Sequence, residues 1–290
     1  MLVVAHLFGG RVLLDDVLEI VRPHKLFVIE DCAQSFDRVG DRGHPASDIV
    51  MHSFGPIKTA TALGGAVVRV SSPCLRKRMA ETLSRDPIQS RANFARRLAR
   101  FAMLKALSGN RDSLLFCRCV HYLGLEVDSL INSFGRGFAS SDIMAQIRHQ
   151  PSTPLLGLLR RRWQRYDFSR IDRRRHLGRH LDHRTGRHHS PTHSYWVYPL
   201  FVRNARVVCD RLRAAGFDAT CQSRMIVVPP IDDSRVATSA RRSWNQVLFL
   251  PWYPEITEKA VDEMAKLVRF SNLENEPHLN TVASNDFTVQ

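Results

Sequence analysis

The 290-residue sequence has no apolar run approaching the ~18–20 residues that a bilayer-spanning helix requires, so no such helix is expected in it. Its first residues, Met1-Leu2-Val3-Val4-Ala5-His6, lack a basic leader and a small-residue cleavage site. Both are marks of a secretory signal, and a cytoplasmic location is the expectation. The six cysteines (32, 74, 117, 119, 209 and 221) lack the spacing of a disulfide framework and are expected to be reduced thiols. Cys117 and Cys119 have no second cysteine pair or suitably spaced histidine nearby, so no zinc site is expected there. Acids are scarce, 28 Asp and Glu against 42 Lys and Arg, for a net charge of +14.

The excess charge is local. Residues 76–118 and 159–189 each hold 11 Lys/Arg against 3 Asp/Glu, which together exceed the net charge of the whole chain. Two basic arrays suit a phosphorylated substrate, a polyanion or plain solvation. No nucleic-acid recognition motif accompanies them, and nucleic-acid binding is not expected. In 91–107, Phe94, Leu98, Phe101 and Leu104 share one helical face, with Arg91, Arg96, Arg97, Arg100 and Lys105 elsewhere. A surface helix packing one face onto its domain explains that pattern, as would a helix lying on a membrane surface. The 159–189 array has few apolar positions and reads as a long exposed helix or a poorly ordered connector. His176 and His180 have the spacing of a helical metal pair, but Arg173, Arg174, Arg175 and Arg179 crowd them and favour a solvated basic face.

The hydrophobic pattern is that of an α/β protein. Leu2–Leu7, Leu26–Ile29, Asp48–Phe54 and Ala66–Val70 read as buried strands, with an amphipathic helix at Leu13–Val21 between the first two. Continuous apolar strands joined through helices predict a mostly parallel sheet covered on both faces. From Tyr195 a smaller α+β module follows: a strand at Tyr195–Val202, a helix at Ala205–Ala214, a strand at Val247–Leu250 and a helix at Thr257–Arg269. The expected organisation is a large domain over 1–150, a basic connector over 151–194, the small domain over 195–270 and a tail over 271–290.

Three clusters carry unusual polar residues at apolar strand ends, where ligands of open α/β sheets sit. Glu30-Asp31-Cys32-Ala33-Gln34 follows one strand, and Ser53-Phe54-Gly55-Pro56-Ile57-Lys58 ends another. Gly64-Gly65 then turns into the next strand. An acid at a buried strand end is costly without a charged or hydrogen-bonding partner. Asp31 or Lys58 alone would be explained by a surface salt bridge or a helix cap; their order is what carries the signal.

That ordered text, with His6-Leu7-Phe8-Gly9 before it and Phe249-Leu250-Pro251-Trp252-Tyr253-Pro254 near the far end, resembles the DegT/DnrJ/StrS-type family of pyridoxal-phosphate (PLP) dependent sugar aminotransferases. The resemblance implies the type I fold of PLP-dependent transferases. Here it would comprise an incomplete large domain with a mostly parallel sheet, plus the smaller C-terminal α+β domain. It implies pyridoxal 5′-phosphate as cofactor, Lys58 as the Schiff-base lysine and proton shuttle, and Asp31 as partner of the pyridine nitrogen. Gln34 would bind near the cofactor's phenolic oxygen and Ser53 its phosphate. The implied reaction is amination of a nucleotide-linked keto-sugar by an amino-acid donor, glutamate or glutamine, in a homodimer. A related branch that dehydrates its substrate carries His in place of the lysine, and Lys58 argues against it.

The sequence departs from the family in two places. The family's earlier strands, a phosphate-cradling helix N-terminus and a stacking aromatic have no counterpart ahead of Met1, so an N-terminally truncated member is expected. Ser133-Phe134-Gly135-Arg136-Gly137-Phe138 stands where the family places a Gly-aromatic-Asn segment. The competing expectation is therefore a truncated, weak or inactive family member acting as a binding or regulatory partner.

Overall fold

The computed structural model describes residues 1–37, 41–107, 147–221, 227–228 and 238–273. The Cys117–Cys119 pair and the 133–138 segment lie outside the described residues. Contacts divide the chain into two units, Met1–Phe168 and Ser169–Gln290.

Unit 1 opens with β1 (Leu2–Ala5), α1 (Asp15–Val21), β2 (Val28–Asp31), β3 (Ile49–Ser53) and β4 (Ala66–Val70). They form one sheet in the order β1-β2-β3-β4, with β1, β2 and β3 parallel and β4 antiparallel at the edge. The α/β class and mostly parallel sheet expected from the sequence are what the chain adopts. β4 runs antiparallel at the edge: the connection 54–65 holds no helix and turns into the strand at Gly64 and Gly65, at φ 157° and 79°. A parallel return would need a crossover.

Period-2 alternation sorts the sheet into two faces. One carries Val28, Glu30, Val50 and His52, all buried. On it Leu14, Leu18 and Val21 of α1 pack against Val28 in a small cluster. The other carries Asp31, Met51 and Ser53, paired in register with Ala5, Val68 and Ala66. Three more helices complete unit 1: α2 (Pro73–Ser84), α3 (Arg91–Leu107) and α4 (Thr153–Arg165). Phe94 of α3, Leu155 of α4 and the strand-end residues Phe36 and Phe54 share a second cluster, with Trp163, Tyr166 and Phe168 around it. The inward face of α3 differs from the sequence expectation at one flank. Leu98 is 48% exposed, and the Arg97 guanidinium turns inward to donate to the Leu63 carbonyl at 2.9 Å.

Unit 2 comprises α5 (Ser169–Thr185), β5 (Tyr198–Phe201), α6 (Ala205–Ala214), β6 (Thr220–Cys221), α7 (Thr238–Gln246), β7 (Val247–Leu250) and α8 (Glu258–Leu273). Its sheet is antiparallel, in the order β5-β7-β6. Its core is the larger one, with Leu177, Leu181, Leu212, Leu248, Val261, Met264 and Val268 fully buried. Here the sequence expectation for 159–189 needs correction. α5 is neither exposed nor unordered: its face at Ile171, Arg174, Leu177, Gly178, Leu181 and Asp182 is buried. Three of those six positions are not apolar side chains, which hid the face from hydrophobic periodicity.

Another edge of α5 meets α8 and the turn before it through charge. Arg170 reaches Glu255 at 2.6 Å, and Arg173 and His176 share Glu258 at 3.1 and 3.2 Å. His180 and Arg184 share Asp262 at 2.9 and 2.8 Å. His176 and His180 therefore point to separate carboxylates on α8 and are not assembled as a metal pair. Thr257 caps α8 as expected, its hydroxyl accepting from the Ala260 N–H at 3.2 Å. Thr257→Ala is expected to destabilise unit 2 by about 1 kcal/mol, read as a shift in denaturation midpoint at unchanged slope.

Candidate functional site

The predicted site residues converge at the C-terminal ends of the parallel strands. Asp31 ends β2 and Ser53 ends β3, on the same half-buried sheet face. The chain then leaves β3 through Phe54, whose N–H and carbonyl are anchored to Gly65 and to Ala62 and Gly64. The turn that follows places Lys58, with its N–H donating to the Gly55 carbonyl at 3.1 Å. At Gly55 an added Cβ would stand 3.8 Å from Ser53 Oγ and 3.9 Å from Lys58 Cγ, so the turn holds those two side chains around one point.

Electrostatics link the same residues. Burial lowers the Lys58 ammonium from its ordinary range, and the Asp31 carboxylate beside it acts in the opposite sense. Asp31 uses Oδ1 to accept from the Ala33 N–H at 2.9 Å, leaving Oδ2 without a hydrogen bond among the described residues. The Ser53 hydroxyl is likewise unengaged among them. Gln34 lies one turn past Asp31, its side-chain oxygen accepting from the Phe8 N–H at 2.8 Å. A softened lysine, a carboxylate oxygen, a hydroxyl and an amide thus surround one end of the sheet. They fit a ligand bearing a carbonyl, a protonated nitrogen and anionic oxygens.

The sequence reading did not give the residues behind this site a role. On the opposite sheet face His6, just past β1, and Glu30 of β2 are 2% and 1% exposed, and His6 Nε2 lies 3.0 Å from Glu30 Oε2. Cys32 is close enough that the three could be imagined around a cation. Their hydrogen bonding speaks against it. His6 Nδ1 accepts from the Val12 N–H at 3.1 Å, which puts the imidazole proton on Nε2, facing Glu30. Glu30 Oε1 accepts from the His44 N–H at 2.7 Å. Burial pushes the Cys32 thiol up to about 11, so it keeps its proton. Against burial, the bonds from His6, Ser47 and His44 hold Glu30 below the usual carboxylate range. Three donors already satisfied or protonated do not make a metal site.

The only signal for this pair in the sequence was a buried-strand acid without an assigned partner. Its partner lay 24 residues away, beyond the reach of local pattern.

Residues 1–98 match the model of the DegT/DnrJ/EryC1/StrS aminotransferase family. The chain is also similar in fold to solved structures at low identity. A DegT DnrJ EryC1 StrS aminotransferase from Brucella abortus superposes with a TM-score of 0.56 at 15% identity, covering 93% of this chain and 64% of that one. NtdA from Bacillus subtilis, solved with bound cofactor PMP, gives 0.56 at 17% identity, covering 92% and 56%. DesI, solved in the presence of its TDP-sugar product, gives 0.55 at 16%, covering 92% and 61%. The chain therefore spans less than two thirds of each of these three proteins. No helix among the described residues is long and apolar enough to cross a membrane.

Proposed function

We propose that this chain, whose residues 1–98 match the model of the PLP-dependent DegT/DnrJ/EryC1/StrS aminotransferase family, holds PLP on Lys58 and takes part in amination of a nucleotide-linked keto-sugar. The observation that carries the reading is the meeting of the softened Lys58 amine and the Asp31 carboxylate at one sheet end. PLP, when bound, supplies an electron sink for the substrate carbon.

The chain's own residues supply the rest. Lys58 offers an amine that reaches the neutral, nucleophilic form more readily than an exposed lysine, and it can then carry a proton to and from the substrate carbon. The free Oδ2 of Asp31 is placed to accept a hydrogen bond from a protonated ring nitrogen and to keep it protonated. The Ser53 hydroxyl offers a donor to a phosphate oxygen, and the Gln34 amide a donor to a ring oxygen. Glutamate or glutamine as amino donor, and a homodimer as the working assembly, follow from the family. The nucleotide-sugar substrate draws support from the DesI likeness and from the basic residues that suit a diphosphate.

Borohydride reduction of the protein saturated with PLP, followed by peptide mass spectrometry, tests the reading. A pyridoxyl adduct on Lys58, lost together with the visible absorbance in Lys58→Ala, is the expected result. No adduct at saturating PLP overturns it in favour of a binding or regulatory role.

A further inference from the structure

We infer that His6, held by Glu30, is a positioning residue that fixes the Gln34 amide as a hydrogen-bond donor toward an anionic oxygen at the Lys58 site. The inference rests on the reading of that site as a PLP site.

The polarity of Gln34 follows from its partner. The Phe8 N–H can only donate, so the atom 2.8 Å from it is the amide oxygen. The amide NH2 is then the end left for a ligand. A side chain so oriented presents its NH2 to an acceptor, such as a phenolate or phosphate oxygen.

The bond is made with the backbone at Phe8 in an unfavourable conformation. Phe8 has φ 61° and Gly9 φ 100°. The left-handed region is unfavourable for a non-glycine residue, so something must hold the segment there. His6 does so at its start. Its N–H donates to the Asp31 carbonyl at 3.0 Å, and its Nδ1 accepts from the Val12 N–H at 3.1 Å, closing the loop from 6 to 12. Glu30 fixes the ring from the other nitrogen. Arg11 ties the far end of the same loop to the carbonyl of Ser35, the residue after Gln34, at 3.1 Å. Gln34 is therefore gripped by its side chain and by its neighbour's backbone. Glu30 and His6 lie on the sheet face opposite Asp31, so they act on the site through the loop and never touch the ligand.

The bland alternative is a buried pair that merely staples β1 to β2. Amide hydrogen exchange and the PLP dissociation constant, measured on wild type, His6→Phe and His6→Asn, separate the two. His6→Phe keeps the ring volume and removes both hydrogen bonds. It is expected to speed exchange at Phe8 and Val12 and to raise the PLP dissociation constant, each about tenfold, as for one buried hydrogen bond. The β2–β3 ladder should keep its protection. His6→Asn places Oδ1 where Nδ1 stood and recovers most of both effects.

Gln34→Glu keeps the acceptor for Phe8 but turns a carboxylate oxygen toward the ligand, so it weakens PLP more than Gln34→Ala. Wild-type Phe8 exchange or PLP affinity in His6→Phe overturns the inference, as does an Asn variant no better than Phe. Equal effects of the two Gln34 variants overturn the donor assignment. If wild type forms no Lys58 adduct, the PLP reading fails, and the exchange data alone decide whether His6 holds Phe8 against Gln34.

Discussion

Gly178→Ala is expected to destabilise unit 2 by about 3 kcal/mol or more, against the sense of helix propensity. In an exposed helix the same change would stabilise by up to about 1 kcal/mol, because glycine loses more backbone freedom on folding. Gly178, however, sits in mid-α5, where a Cβ would lie 2.5 Å from the Tyr195 ring. That ring cannot swing away cheaply. It is 2% exposed, its backbone is at φ 47°, and its hydroxyl donates to Asp182 Oδ2 at 2.6 Å. Moving it strips one of three bonds from a buried carboxylate whose other oxygen is held by the Tyr198 hydroxyl at 2.5 Å and by His189 Nδ1 at 2.8 Å. Overpacking and the lost bond add, and together outweigh the propensity gain.

Gly157→Ala is the control. It lies in α4 with nothing among the described residues within 4 Å of the added carbon, and it should leave stability unchanged or slightly raised. Thermal unfolding of both variants decides the matter. A drop of roughly ten degrees for Gly178→Ala alone is the expected result. In the double variant with Tyr195→Ala, the glycine change should cost far less than it does alone, because its clash partner is gone. Additive effects would show that the cost arises elsewhere.

The same network marks the limit of what sequence pattern could show. Several elements with an apolar buried face were found, although α4, which packs Leu155 and Trp163 in the unit 1 cluster, was not. β4, α6 and β7 fall on the residues expected, and α3 does so over 91–107. Asp31, Gln34, Ser53 and Lys58 drew notice through their order along the chain after apolar runs, and the parallel register places Asp31 and Ser53 at neighbouring strand ends; their roles at the site are what the family resemblance implies. α5 was misjudged because its inward seam is Arg174, Gly178 and Asp182 as much as leucine. Tyr195 and Tyr198, which account for Gly178 and Asp182, come from beyond the helix. His6 and Glu30 are the same case in unit 1. A buried polar residue is interpretable only through its partner, and partners distant in sequence leave no local period.

Both units are expected to lose stability as pH falls from about 6.5 to 4, before carboxylate protonation begins to matter. Each unit buries one imidazole in a place that resists its charge. His52, on β3, is 3% exposed, and neither ring nitrogen has a hydrogen-bond partner among the described residues. The rings of Phe36 and Trp163 stand edge-on to it, 5.9 and 6.3 Å away between centroids. Burial pushes it down to about 4, with Arg11 and His6 acting in the same direction and Asp37 and Glu30 against. In unit 2, His193 is 5% exposed and is pushed down to about 4 by burial, aided by His189 and Arg175 and opposed by Asp182.

The sign follows from proton counting. Between these values and the ordinary 6.5, the unfolded chain binds a proton that the folded chain does not, so stability falls as pH falls. At about 1.4 kcal/mol per pH unit, each histidine removes on the order of 3 kcal/mol across the window. Glu30 and Asp182 are held below the usual carboxylate range, so their contributions persist through this window and are lost only at lower pH. His52→Phe separates the two units. It exchanges an imidazole without hydrogen bonds for a ring that needs none, so it should stabilise unit 1 near neutrality and flatten that unit's dependence between pH 6.5 and 4. Denaturant titrations across that range, followed by hydrogen exchange in β3 for unit 1 and in β7 for unit 2, read the two separately. An unflattened profile in His52→Phe would assign the acid sensitivity of unit 1 to another group.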